Sequence, residues 1–133
     1  MRSRIIVASL LLFGVLAAGT VATSGGNVAP SREWAIASFT EPVSVAGKFL
    51  MGQYLIVHDE TKMLQGKPCT TIYRFDPARG PQETVLSFHC VPTRRQAAGK
   101  LTLTQGFDVN LGVPRVTEYQ FAGDSEGHRI PSK

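Results

Sequence analysis

Two cysteines, Cys69 and Cys90, bracket the stretch C-T-T-I-Y-R-F-D-P-A-R-G-P-Q-E-T-V-L-S-F-H-C, which reads as two β-strands joined by a Pro/Gly loop. Setting Cys69 opposite Cys90 in an antiparallel pair places Thr71 against Phe88, Tyr73 against Leu86 and Phe75 against Thr84. Side chains alternate along a strand with period two, so this register gathers Tyr73, Phe75, Leu86 and Phe88 on the face that carries the cysteines. A slip of one residue would scatter that apolar set over both faces. The expected bond is a Cys69–Cys90 disulfide. Closing a loop of this length contributes about 3 kcal/mol in the chain-entropy account, a large share of a small domain's net stability.

The amino terminus supplies the compartment in which such a bond persists. Arg2 and Arg4 precede the uncharged apolar run Ile5–Ala18, and small residues follow in A-A-G-T-V-A-T-S-G-G. This is the pattern of a signal peptide over residues 1–22, cut after Ala22 or after Gly19. The competing reading is an uncleaved anchor, since the apolar run reaches the lower limit of a membrane span; membrane attachment is expected only in that case. No cysteine lies near the cut, so no lipoprotein anchor is expected. The expected address is periplasmic or secreted, where a disulfide forms.

The formal charge of +4 includes Arg2 and Arg4; without them 12 basic residues face 10 acidic ones, a balance of +2. Arg94-Arg95 is the one basic pair left, and it reads as a solvated turn beside Pro92, so nucleic-acid binding is not expected.

Residues 23–31 are a Gly/Ser/Pro/Asn-rich lead-in. From residue 32 to 122 the chain carries six or seven short strand patterns separated by turn signals. Arg32–Phe39 is a strand or a short helix, with Trp34 expected in the core. Val43 and Val45 alternate with polar or small residues, Gly47-Lys48 is turn material, and Gln53–His58 is a buried strand with Met51 as a core residue at its start. Asp59–Pro68 connects, with room for one helical turn. Gly99–Gln105 alternates with Leu101 and Leu103 inward, and Arg115–Phe121 is a last strand. Residues 123–133 are expected to form a loose tail. The fold class is all-β: a small antiparallel β-sandwich, with a partly open barrel as the alternative.

The segments P-V-S-V-A-G-K-F-L-M-G-Q-Y-L-I (Pro42–Ile56), F-H-C-V (Phe88–Val91) and E-Y-Q-F-A-G-D-S-E-G-H (Glu118–His128) resemble small exported bacterial β-domain proteins of unknown function. The resemblance implies a bacterial envelope address and no particular activity.

The chain lacks G-x-S-x-G, H-E-x-x-H, a phosphate-cradling glycine loop and a zinc-type C-x-x-C, so no enzyme activity is expected. Ser87 and His89 share one side of a strand, but such neighbours lie too parallel to form a triad. The expected function is a non-enzymatic exported domain, without a cofactor, that binds a protein partner or a small ligand. The alternative is a copper or zinc protein using His58, His89 and His128, because neutral imidazole suits both metals. A site built from distant strands leaves no spacing motif.

Overall fold

The computed structural model describes residues 29–132, so the signal segment 1–22 and most of the lead-in lie outside the described residues. The described chain is eight strands and one helical turn: β1 (Arg32–Val45), β2 (Lys48–Asp59), α1 (Glu60–Leu64), β3 (Thr70–Asp76), β4 (Gly80–Phe88), β5 (Val91–Arg94), β6 (Thr102–Asp108), β7 (Val113–Gln120) and β8 (Glu126–Arg129). Among the described residues, no helix is long and apolar enough to cross a membrane.

β1 and β2 form a long hairpin closed by a two-residue turn, Ala46-Gly47, between the paired ends Val45 and Lys48. Both turn residues have positive φ, 48° and 80°, the geometry whose twist matches that of the flanking strands. Farther along, the register shifts between Phe39 and Val43, where Pro42 has no N–H to give a ladder. Beyond this irregularity the end of β1 reaches β7, and Ser44 pairs in parallel with Arg115.

That contact joins two half-sheets. The strand order is β4-β3-β2-β1-β7-β8-β5, with β6 added on β7. The sheet is mixed and unclosed, and it folds over its own core in a sandwich-like arrangement. The parallel β1–β7 contact, with a parallel bridge between Ala98 and Ala122, corrects the purely antiparallel expectation. The core runs between the halves, with Tyr54, Leu50, Ile56, Ile72 and Phe88 from one side and Val116, Tyr119 and Phe121 from the other.

The cysteine hairpin keeps its two strands but not its expected register. The structure pairs Thr70 with Phe88, Thr71 with Ser87 and Ile72 with Leu86, one residue from the cysteine-opposed alignment. The turn sets the closed end at Asp76↔Gly80. There Asp76 Oδ1 accepts from Ala78 N at 2.8 Å and Arg79 N at 3.1 Å, and Gly80 has φ 83°. Two register shifts along the ladder, on either side of Tyr73, absorb the difference. Ile72 and Phe88 consequently face the core, while Tyr73 and Phe75 are only half-buried. The cysteines sit outside the ladder, one residue before β3 and in the unpaired link between β4 and β5, so their approach does not require them to be opposite.

Other expectations also change. Trp34 is 64% exposed and Met51 57% exposed. Trp34 shares the outer face of the β1–β4 half with Ile36, Leu55, Val57 and Phe75, along a groove of about 580 Å³. Strand parity explains this: alternate positions of β1 hold Ala35 and Ala37, and these small side chains face the core. The segment expected to be a loose tail carries β8, which pairs with both β7 and β5. The four residues E-G-H-R give a weak strand signal, yet His128 within them is fully buried. Pro92 lies in β5, at the end of the strand order, where a missing N–H is tolerated.

Candidate metal centre

Two rows of residues meet inside the sandwich. Across the first half-sheet, Glu33, His58, Thr70 and Phe88 are successive cross-strand partners on β1, β2, β3 and β4. Across the second, Pro92, His128, Tyr119 and Leu103 do the same on β5, β8, β7 and β6. The rows face one another. Thr70 Oγ1 and the Tyr119 hydroxyl form a short hydrogen bond across the gap. The His58 and His128 rings lie 4.2 Å apart at 36°, and His128 stacks on Tyr119 at 4.9 Å.

Local structure fixes the first row. Asp59 caps α1 by accepting from Lys62 N. The Glu60 carboxylate accepts from Ser31 N at 2.8 Å, and Glu60 N donates to the Ser31 carbonyl at 3.0 Å. These bonds tie the start of β1 to the end of β2 and so hold Glu33 beside His58. In the second row Gly127 precedes His128 because a Cβ there would stand 2.7 Å from Glu118 Oε1, the carboxylate that pairs with Arg95.

The imidazoles are buried, and three of their four ring nitrogens are without partners. His58 is 3% exposed and His128 0%. Both ring nitrogens of His58 and Nε2 of His128 lack any hydrogen bond. Among the described residues only one other buried side-chain atom shares that condition, Glu118 Oε1, and it stands 3.1 Å from Arg95 Nη2. Carboxylates approach His128 but stop short of bonding: Asp124 Oδ2 is 4.0 Å from Nε2 and Glu126 Oε1 is 3.8 Å from Nδ1. A buried polar atom without a partner costs about 1 to 3 kcal/mol, so three in one place call for an explanation.

Burial sets the charge of the cluster. It lowers the pKa of His58, against the opposing pull of Glu60, Asp59 and Asp124. It lowers His128 to about 4, helped by the neighbouring His58. Both rings are therefore neutral at pH 7, the form that ligates metals. The Glu33 carboxyl is raised, first by burial and then by Asp124, Glu126 and Glu60; Glu126 is raised by burial, Asp124 and Glu60.

The cysteines border the same space. Their sulfurs stand 2.6 Å apart, close to but not at the roughly 2.05 Å of a disulfide, so the expected Cys69–Cys90 bond is not formed in this structure. Cys90 N donates to Cys69 Sγ at 3.1 Å, and Cys90 Sγ lies 3.7 Å from His128 Nδ1. Burial and the Cys69 neighbour push the Cys90 thiol up to about 12. Two donor sets have ligand atoms within 4.8 Å of one another: His58 with Cys69 and Cys90, and Glu33 with His58 and His128.

Of the three histidines picked from the sequence, the structure brings together His58 and His128. His89 is exposed and belongs to neither set. Glu33 was missed. Its signal was available, since an antiparallel β1–β2 hairpin turning at Ala46-Gly47 brings the start of β1 beside the end of β2. No protein-family model matches the chain, and no characterised protein or solved structure matches it either.

Proposed function

We propose that this chain is a non-enzymatic exported β-domain whose ligand is a transition-metal ion, zinc or copper, held between its two half-sheets by His58 and His128. The observation that carries the reading is the set of three buried imidazole nitrogens without partners. A metal ion needs such lone pairs, and neutral imidazole is a first-choice ligand for both metals. Glu33 supplies an oxygen donor on one side of the pair, and Cys69 and Cys90 lie on the other. In an oxidising compartment the same two cysteines close as the Cys69–Cys90 staple. His89 takes no part.

Titrating zinc, and separately copper, into the purified chain tests this. One ion per chain is expected, with binding weakened in His128→Leu. The metal-free variant should melt no lower than the wild type, because the leucine removes a buried nitrogen that has no partner. A chain that takes up neither metal stoichiometrically contradicts the reading, as does a His128→Leu variant that binds as well as the wild type.

A further inference from the structure

We propose that Cys69 and Cys90 are the redox-variable half of this metal site: as thiolates they form a Cys2His donor set with His58, beside the His128 ring, and as a disulfide they leave it. The inference rests on the reading above and adds to it two ligands and a control.

Position is the first support. His58, Cys69 and Cys90 present ligand atoms within 4.8 Å of one another, all from buried side chains, and Cys90 Sγ is 3.7 Å from His128 Nδ1. A tetrahedral zinc ion spaces a sulfur and a nitrogen ligand about 3.5 Å apart and two sulfurs about 3.8 Å apart. The Cys90–His128 pair already stands near that separation. Turning one cysteine about χ1 opens the sulfur pair by about 1 Å to suit the ion, and the opposite movement closes it to bonding distance.

Freedom to move is the second support. Thr70 and Phe88 are the last paired residues of the β3–β4 ladder, so neither cysteine is held by that ladder. The side chains can shift while the Cys69 carbonyl keeps its 2.8 Å bond from Asp59 N. The histidines sit at paired positions of β2 and β8, and stay in place in both states. A set of two thiolates and an imidazole selects a closed-shell borderline or soft ion, Zn2+ or Cu+. The oxidised chain retains His58, His128 and Glu33, a harder set.

The oxidant is a disulfide of the glutathione class. One cysteine thiolate attacks a sulfur of the oxidised glutathione and expels one glutathione thiolate, leaving a mixed disulfide. The second cysteine thiolate attacks the protein sulfur of that bond and expels the other glutathione. Two protein thiols become one disulfide, two electrons pass to glutathione, and the two thiol protons end on the two glutathione thiols. The ion loses both thiolate ligands.

The test compares two forms of the full chain, one reduced and freed of reductant, the other oxidised with glutathione disulfide and checked by denaturing mass. Zinc affinity is read by competition with a chromophoric chelator. The reduced form is expected to bind one zinc at least 100-fold more tightly than the oxidised form, and oxidation of the loaded chain should release its zinc. A folded Cys69→Ser, Cys90→Ser double variant should bind like the oxidised form. Equal affinity in both redox forms overturns the cysteine assignment and leaves the histidine site standing. Binding by neither form overturns both.

Discussion

At the scale of single residues, buried neutral histidines tie stability to pH. His128 has a folded pKa of about 4, whereas an unfolded histidine titrates near 6.5. The unfolded chain therefore binds the proton first as pH falls, and stability present above pH 6.5 is lost progressively down towards pH 4. Between pH 7.5 and 5 the loss from His128 alone is about 2 kcal/mol. His58 is lowered for the same first reason and adds to the loss. Glu33 and Glu126 act in the opposite sense, because raised carboxyls gain protons more readily in the fold, but that relief falls at the acid end of the window. Denaturant titration of the metal-free chain at the two pH values should show the loss, and His128→Leu should remove most of it. Identical stability at both pH values contradicts the burial assigned to His128.

At the scale of elements, turns and register place the site. The β1–β2 turn carries alanine at φ 48°, a conformation that costs a residue with a Cβ roughly 1 to 2 kcal/mol. Asn-Gly is the preferred pair for such a turn, so Ala46→Asn should stabilise the chain by about 0.5 to 1 kcal/mol, read as a higher melting temperature. A lower melting temperature contradicts the turn geometry. The other end of this hairpin holds Glu33 against His58, in a register set by the turn together with the irregularity between Phe39 and Val43. A second anchor links the halves: Ser44 Oγ donates to Asp108 Oδ2 at 2.9 Å, while Asp108 Oδ1 accepts from Asn110 N and Leu111 N in the β6–β7 turn.

Much of the element list was legible because it follows from local patterns. The alternation of Leu101 and Leu103 with threonines gives the half-buried β6, and the polar stretch after His58 gives one helical turn. Register was less legible. Cysteine position and apolar alternation agreed on a pairing that the Asp76–Gly80 turn and two irregularities of β4 displace by one residue, and cysteines outside a ladder carry no register information. The strand β8 was hidden because a four-residue strand has almost no periodicity of its own and exists through its pairing with β5 and β7.

Over the whole molecule, the site exists only because two half-sheets close on each other. His58 and His128 are 70 positions apart, and neither strand encodes the other's row. The balance of the chain is basic, yet Glu33, Glu60, Asp124 and Glu126 gather near the histidines, close enough that their acidic neighbours help to raise the Glu33 and Glu126 carboxyls and that Asp124 pulls against the lowering of both imidazoles. This local field attracts cations towards a cluster that the overall charge would repel. The central claim is that the buried imidazole pair, and not the exposed histidine, binds the metal. Nitrogen-15 spectra of the histidine rings, recorded on the reduced chain before and after one equivalent of zinc, test it most directly. The account predicts that the ring nitrogens of His58 and His128 shift together in a one-to-one complex while those of His89 do not move. A shift confined to His89, or no shift in any ring, contradicts it.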